Sequence, residues 1–135
     1  MDAAALDFTE VRKRLAPLFA RPDLRLAVLF GSVAAGRPRA ASDIDIGLIA
    51  DCSVEELRPE VIRLLQTDRV DIVDLARASP LLAMAVARHG RVLFERQGGV
   101  FASFVSLALR RYNDTAKLRR LREQGLQKFL AERGL

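Results

Sequence analysis

Apolar positions recur along this chain with two alternating periods, and the switches between them mark out helices and strands in turn. Leu6, Phe8, Val11, Leu15, Leu18 and Phe19 fall at helical spacing, and Arg21-Pro22-Asp23 stops that helix. Leu24 to Phe30 reads as a strand closed by Gly31-Ser32, Val33 to Gly36 fits one short helical turn, and 37–42 is a loop of small and basic residues. Asp43 to Ala50 is a second strand. Ser53 and Glu56 form a capping-box pattern before the stripe Val54, Leu57, Val61, Leu64 and Leu65, with Pro59 delaying the regular helix by a turn. Arg69 to Leu75 is a third strand, Leu81 to Arg88 a helix closed by His89-Gly90, and Val92 to Phe94 a short fourth strand. The alternation describes a small α/β domain (α+β in its arrangement) of about four strands flanked by helices.

Gln97-Gly98-Gly99 is a hinge that divides residues 1–98 from a helical tail, 99–135. Phe101, Phe104, Val105, Ala108 and Tyr112 keep one helical face, so the tail begins by docking on the domain. Leu118, Leu121, Leu126, Phe129 and Leu130 leave that stripe, which predicts a bend or a second buried face near Asn113-Asp114. A second face calls for a second surface, and on a chain this small another protein can supply it.

Composition narrows the classes. One cysteine, Cys52, in 135 residues makes no internal disulfide and no Cys-based zinc site, and points to a reducing compartment. No apolar run approaches the ~20 residues of a membrane span, and the start of the chain lacks a signal-peptide pattern, so a cytoplasmic location and no membrane partner are expected. The net charge of +5 is confined to the end: from Arg110 onward eight basic residues face three acidic ones, while residues 1–109 balance. Such a segment is either a solvated helix face or a surface steered toward an acidic protein or a nucleic acid. Basic and aromatic residues do not interleave, so direct nucleic-acid binding is not expected.

The candidate chemistry lies in Phe30-Gly31-Ser32, a ten-residue spacer, and Asp43-Ile44-Asp45 opening an otherwise apolar strand. Alternation puts Asp43 and Asp45 on one face while Ile44, Ile46 and Leu48 enter the core, with the two α-carbons about 6.6 Å apart at ~3.3 Å per residue. That spacing lets both carboxylates grip one hard cation, or two ions ~3.5–4 Å apart, of the kind Mg²⁺ exemplifies. Asp71, inside a strand of apolar neighbours, is the candidate third carboxylate. Asp74 points to the opposite face and reads as a cap for the next turn. Gly31 permits a sharp turn and close approach of a phosphate, to which Ser32 offers a hydroxyl and an N–H.

Gly31-Ser32-Val33-Ala34-Ala35-Gly36, Ser42-Asp43-Ile44-Asp45 and Arg69-Val70-Asp71-Ile72 together resemble the DNA polymerase β-type nucleotidyltransferase superfamily. The short length and the Gly90-Arg91-Val92-Leu93-Phe94-Glu95 ending are most similar to its minimal nucleotidyltransferases, the MNT proteins. The resemblance runs over roughly residues 24 to 96. It implies a small mixed sheet of polymerase β-like fold, a minimal nucleotidyltransferase domain over 1–98, and Mg²⁺ held by Asp43, Asp45 and Asp71. Gly31 and Ser32 would hold the β/γ portion of ATP. Asp71 would also help take the proton of the attacking hydroxyl. Many relatives carry Arg where Ala35 stands, a place that Arg37 or Arg39 can fill.

Many MNT proteins are antitoxins paired with HEPN ribonuclease toxins, so the resemblance implies transfer of AMP from ATP to a toxin tyrosine, within a hetero-oligomer of the two proteins. Two other readings stand beside it: a non-catalytic antitoxin that acts by binding, and a nucleotidyltransferase for a small molecule such as an aminoglycoside. His89, the one histidine, reads as a helix-end residue, and Tyr112 as a buried aromatic with its hydroxyl at the surface. Phe101, Phe104 and Phe129 read as core or interface.

Overall fold

The computed structural model of the protein describes residues 6–36 and 43–134. Its elements run α1 (Phe8–Arg14), α2 (Ala16–Phe19), β1 (Leu24–Phe30), α3 (Gly31–Ala34), β2 (Ile44–Ala50), a 3₁₀ turn (Val54–Leu57), α4 (Arg58–Leu65), β3 (Val70–Asp74), α5 (Pro80–His89), β4 (Arg91–Glu95) and α6 (Val100–Glu132). The four strands form one mixed sheet in the order β3-β2-β1-β4. Antiparallel pairing joins β1 to both β2 and β4, and β2 runs parallel to β3.

Each face of the sheet carries its own apolar layer. Ile44, Ile46, Leu48, Val70 and Ile72 pack with Val11, Leu15, Leu18, Val61 and Leu65 of the first helices and α4. Leu26, Val28 and Leu75 pack on the other side with Ala83, Val86, Phe104 and Ala108 of α5 and α6. A register shift between Leu24 and Leu26 puts Leu24, Ala27 and Leu29 in the first layer, which strict alternation from Leu24 does not do. Arg96 clasps the sheet's far end: its guanidinium donates to the carbonyls of Leu24, Phe19 and Arg21 and lies over Phe94, which stacks on Phe19.

Several local expectations change in physical detail. The first helix is broken at Leu15, because Pro17 in the first turn of α2 has no N–H with which to continue the ladder. Ser53 makes no side-chain cap; its carbonyl accepts the Glu56 N–H at 3.0 Å in the 3₁₀ turn, and the regular helix starts at Arg58 with Pro59 in its first turn, one turn late as Pro59 foretold. The short turn after β1 begins at Gly31 rather than Val33. The helix at Asn113-Asp114 is not interrupted: α6 is one unbroken element, and Leu118, Leu121, Leu126 and Phe129 are exposed rather than buried.

Gly90 ends α5 as expected, yet with an extended backbone (φ −72°, ψ 148°), so a left-handed cap is not its reason. Space is the reason. A Cβ there would lie 2.5 Å from the Val86 carbonyl oxygen and 2.6 Å from a Val28 methyl. Gly90→Ala is therefore expected to destabilise the domain by about 1–3 kcal/mol, since the backbone oxygen cannot yield, read as a lowered denaturant midpoint. Gly125→Ala, in open space within α6, is expected to raise helical ellipticity and leave that midpoint in place.

Candidate active site

The site forms where the C-terminal end of β1 meets the start of β2. In the parallel ladder Asp45 stands opposite Asp71, and in the antiparallel ladder opposite Phe30, the residue before Gly31. Asp43 precedes β2 by one residue, and alternation puts it on the side of Asp45. This is the sheet face that carries Gly47 and Ile49, covered farther along by α5 and α6.

Gly31 binds the two halves of the motif together. Its φ of +77° is the left-handed conformation that glycine adopts without a Cβ penalty. A Cβ at that position would land on the Oδ2 of Asp45. The carboxylate is thus pressed against the bare α-carbon of the turn, and any side chain there would displace it. Ser32 follows, half-buried, as the second residue of α3, whose Val33 and Ala34 anchor the turn in the core.

Electrostatically the site is under tension. Burial pushes the Asp45 carboxyl above its ordinary pKa, and the charges of Asp71 and then Asp43 push it further in the same direction. Among the described residues no Lys or Arg makes an ion pair with any of the three. Nor do three acidic, His or Cys side chains there close on a single point as a finished metal cage. The three carboxylates share a face instead, with oxygen donors only, half-buried Asp45 at the centre and exposed Asp43 and Asp71 beside it. Such a donor set fits a hard divalent cation, whose charge would relieve the repulsion at Asp45.

Asp74 stands apart from this group: its Oδ1 accepts the Ala76 N–H at 3.1 Å, the turn cap expected of it. Ala35 ends α3, exposed; Arg37 and Arg39 lie outside the described residues. Sequence reading did not single out Arg58. Its guanidinium donates to the Val70 carbonyl at 3.3 Å and pairs with Glu55 at 2.9 Å. Its pKa is raised mainly by the Glu55 hydrogen bond and to a lesser degree by the nearby charge of Asp71. No motif marks it, because the link to β3 arises only once α4 has packed. A groove of about 590 Å³ lies at the other end of this face, between Ile49, Leu75 and the first turns of α6, with Arg25 and Arg111 among its lining residues. His89 is exposed in the last turn of α5, and Tyr112 is half-buried under the Arg119 guanidinium, 4.1 Å from its ring centroid.

The family described as "Polymerase beta, Nucleotidyltransferase" matches residues 13–98. The protein adenylyltransferase MntA of Aphanizomenon flos-aquae (strain 2012/KM1/D3) is 30% identical over 129 residues, spanning 84% of this chain and 85% of that protein. A protein of the same name from Shewanella oneidensis MR-1 is 37% identical over 81 residues, 56% of this chain and 58% of its own. Among solved structures, a chain from a toxin–antitoxin crystal structure with AMP-PNP superposes with a TM-score of 0.72 at 28% identity, covering 90% of this chain and 99% of that one. No helix among the described residues is long and apolar enough to cross a membrane. Because the matched span contains the Gly-Ser turn, the paired aspartates and the third strand carboxylate alike, this chain belongs to the polymerase beta nucleotidyltransferase family.

Proposed function

We propose that the protein is a cytoplasmic antitoxin that transfers AMP from ATP to a tyrosine of a cognate HEPN ribonuclease toxin, neutralising it. The observation that carries this reading is the Asp45 carboxylate, held under Gly31 on one side and in register with Asp71 on the other. The relatives named as protein adenylyltransferases and the toxin–antitoxin match with AMP-PNP support the donor nucleotide and the kind of acceptor.

Mg²⁺ is the cation this reading requires, held by Asp43, Asp45 and Asp71; when bound it neutralises triphosphate charge and favours departure of pyrophosphate. The chain's own residues do the rest. Gly31 gives the triphosphate a close approach to backbone, and Ser32 offers it a hydroxyl, with Arg37 and Arg39 as candidate partners of the outer phosphates. Asp71 receives the proton of the tyrosine hydroxyl as its oxygen attacks the α-phosphorus. The new bond is tyrosine oxygen to phosphorus, the broken one joins the α-phosphorus to the bridging oxygen, and pyrophosphate leaves with that electron pair. Positioning and charge compensation account for most of the acceleration in such a transfer.

An aminoglycoside acceptor is the weaker reading, since the groove of about 590 Å³ farther along this face offers a polycation Arg25 and Arg111 rather than carboxylates. Intact-mass measurement of the cognate HEPN toxin after incubation with this chain and Mg²⁺-ATP is expected to show gains of whole AMP units. EDTA or Asp43→Ala/Asp45→Ala is expected to abolish them; neutralisation that persists in that variant with no mass gain would replace catalysis by binding alone. Gly31→Ala is expected to slow transfer by ~100-fold or more, by displacing the Asp45 carboxylate, while the fold's far-UV signal is kept. Asp71→Asn is expected to cost ~10²–10⁴-fold, whereas Asp74→Asn retains nearly full rate.

A further inference from the structure

Beyond Ala108, its last buried residue, α6 continues to Glu132, and along that stretch Leu118, Leu121, Leu126 and Phe129 are 48–58% exposed. Their placement is regular. Leu107, Leu118 and Phe129 are eleven residues apart, about three turns, and so lie nearly on one line along the helix. Each is followed four residues on by an arginine, Arg111, Arg122 and Arg133, which sets a guanidinium one turn farther along the same side. At the tip the Arg133 guanidinium lies 3.6 Å from the Phe129 ring centroid. At the root Leu107 and Arg111 line the groove of about 590 Å³ with Ile49, Leu75 and Phe104. Groove and stripe are one surface, about 33 Å from Leu107 to Phe129 at ~1.5 Å per residue.

The pairing of apolar and cationic groups decides among occupants. A second copy would bring another arm of net charge +5 against this one, eight basic residues to three acidic on each, with Arg111, Arg122 and Arg133 outnumbering Asp114 and Glu132 along the stripe itself. A nucleic acid matches the charge but leaves Leu107, Leu118 and Leu121 without an apolar counterpart. A protein surface with apolar sockets flanked by carboxylates matches both, and it is the kind of patch in which Arg and aromatic side chains carry most of the affinity. We infer that the stripe from Leu107 and Arg111 to Phe129 and Arg133 is the docking surface for an acidic, apolar face of the toxin. This rests on the antitoxin reading above and adds to it the part of the chain that holds the acceptor protein.

The test uses the full chain and its cognate HEPN toxin, following binding by calorimetry without nucleotide and AMP transfer by intact mass. Leu118→Glu/Phe129→Glu and Arg111→Glu/Arg122→Glu are each expected to weaken binding by about 100-fold or more, the second also flattening its salt dependence. Arg120→Gln/Gln127→Glu, which lowers the net charge by two as the first pair does but on the opposite side of the helix, is expected to bind as wild type. Matching circular dichroism of all variants separates lost contacts from a lost helix, and the arginine pair tests the surface without burdening the apolar positions. Stripe variants that bind and modify the toxin as well as wild type overturn the docking surface alone. So does a wild-type chain that sediments as a dimer, or holds a structured RNA, through this stripe while toxin binding ignores it. A wild-type chain that neither binds nor modifies the toxin overturns the antitoxin reading itself.

Discussion

Burial of the Asp45 carboxylate, with like charges beside it, is the constraint from which the rest of the site follows. A half-buried carboxylate with Asp71 across the ladder and Asp43 beside it is unfavourable for the isolated chain, and its raised pKa records that cost. The fold holds it there by strong means: apolar partners Ile44 and Ile46 on the reverse face, a paired strand on each side, and a turn whose first residue is a glycine with no atom to spare. Strain of this kind is what a cation followed by a triphosphate would relieve.

The two faces of the sheet divide the labour. The face against α1, α2 and α4 is continuous apolar packing and fixes the strands. The other carries the carboxylates at one end and the root of α6 at the other, so the acidic cluster and the projecting helix share one side of the molecule. Asp45, Gly47 and Ile49 alternate along β2 to make that connection, with Leu75 packed where a Gly47 side chain would stand.

Much of this was legible in the residue pattern. The span of β1, the position of β2, the alternation of Asp43 and Asp45 against Ile44 and Ile46, and the capping role of Asp74 follow from period and residue type alone. What was not legible depends on tertiary contact. The break at Leu15 turns on Pro17, the need for Gly90 on the nearness of Val28, and the relation of Arg58 to Asp71 on the packing of α4 beside β3. In α6 the apolar residues past Asn113 were visible, but a hydrophobic pattern reports only that a face is apolar. It does not report that the helix outruns the domain that would bury it.

The position of Asp71 carries a consequence outside catalysis. β3 is an edge strand, and with Val70, Ile72 and Val73 around it the segment has the β-branched composition that recruits other strands. Asp71 and Asp74 are the charges that interrupt it. The carboxylate we propose for nucleotide chemistry thus stands where a gatekeeper against strand pairing would stand, so that one side chain would serve both ends.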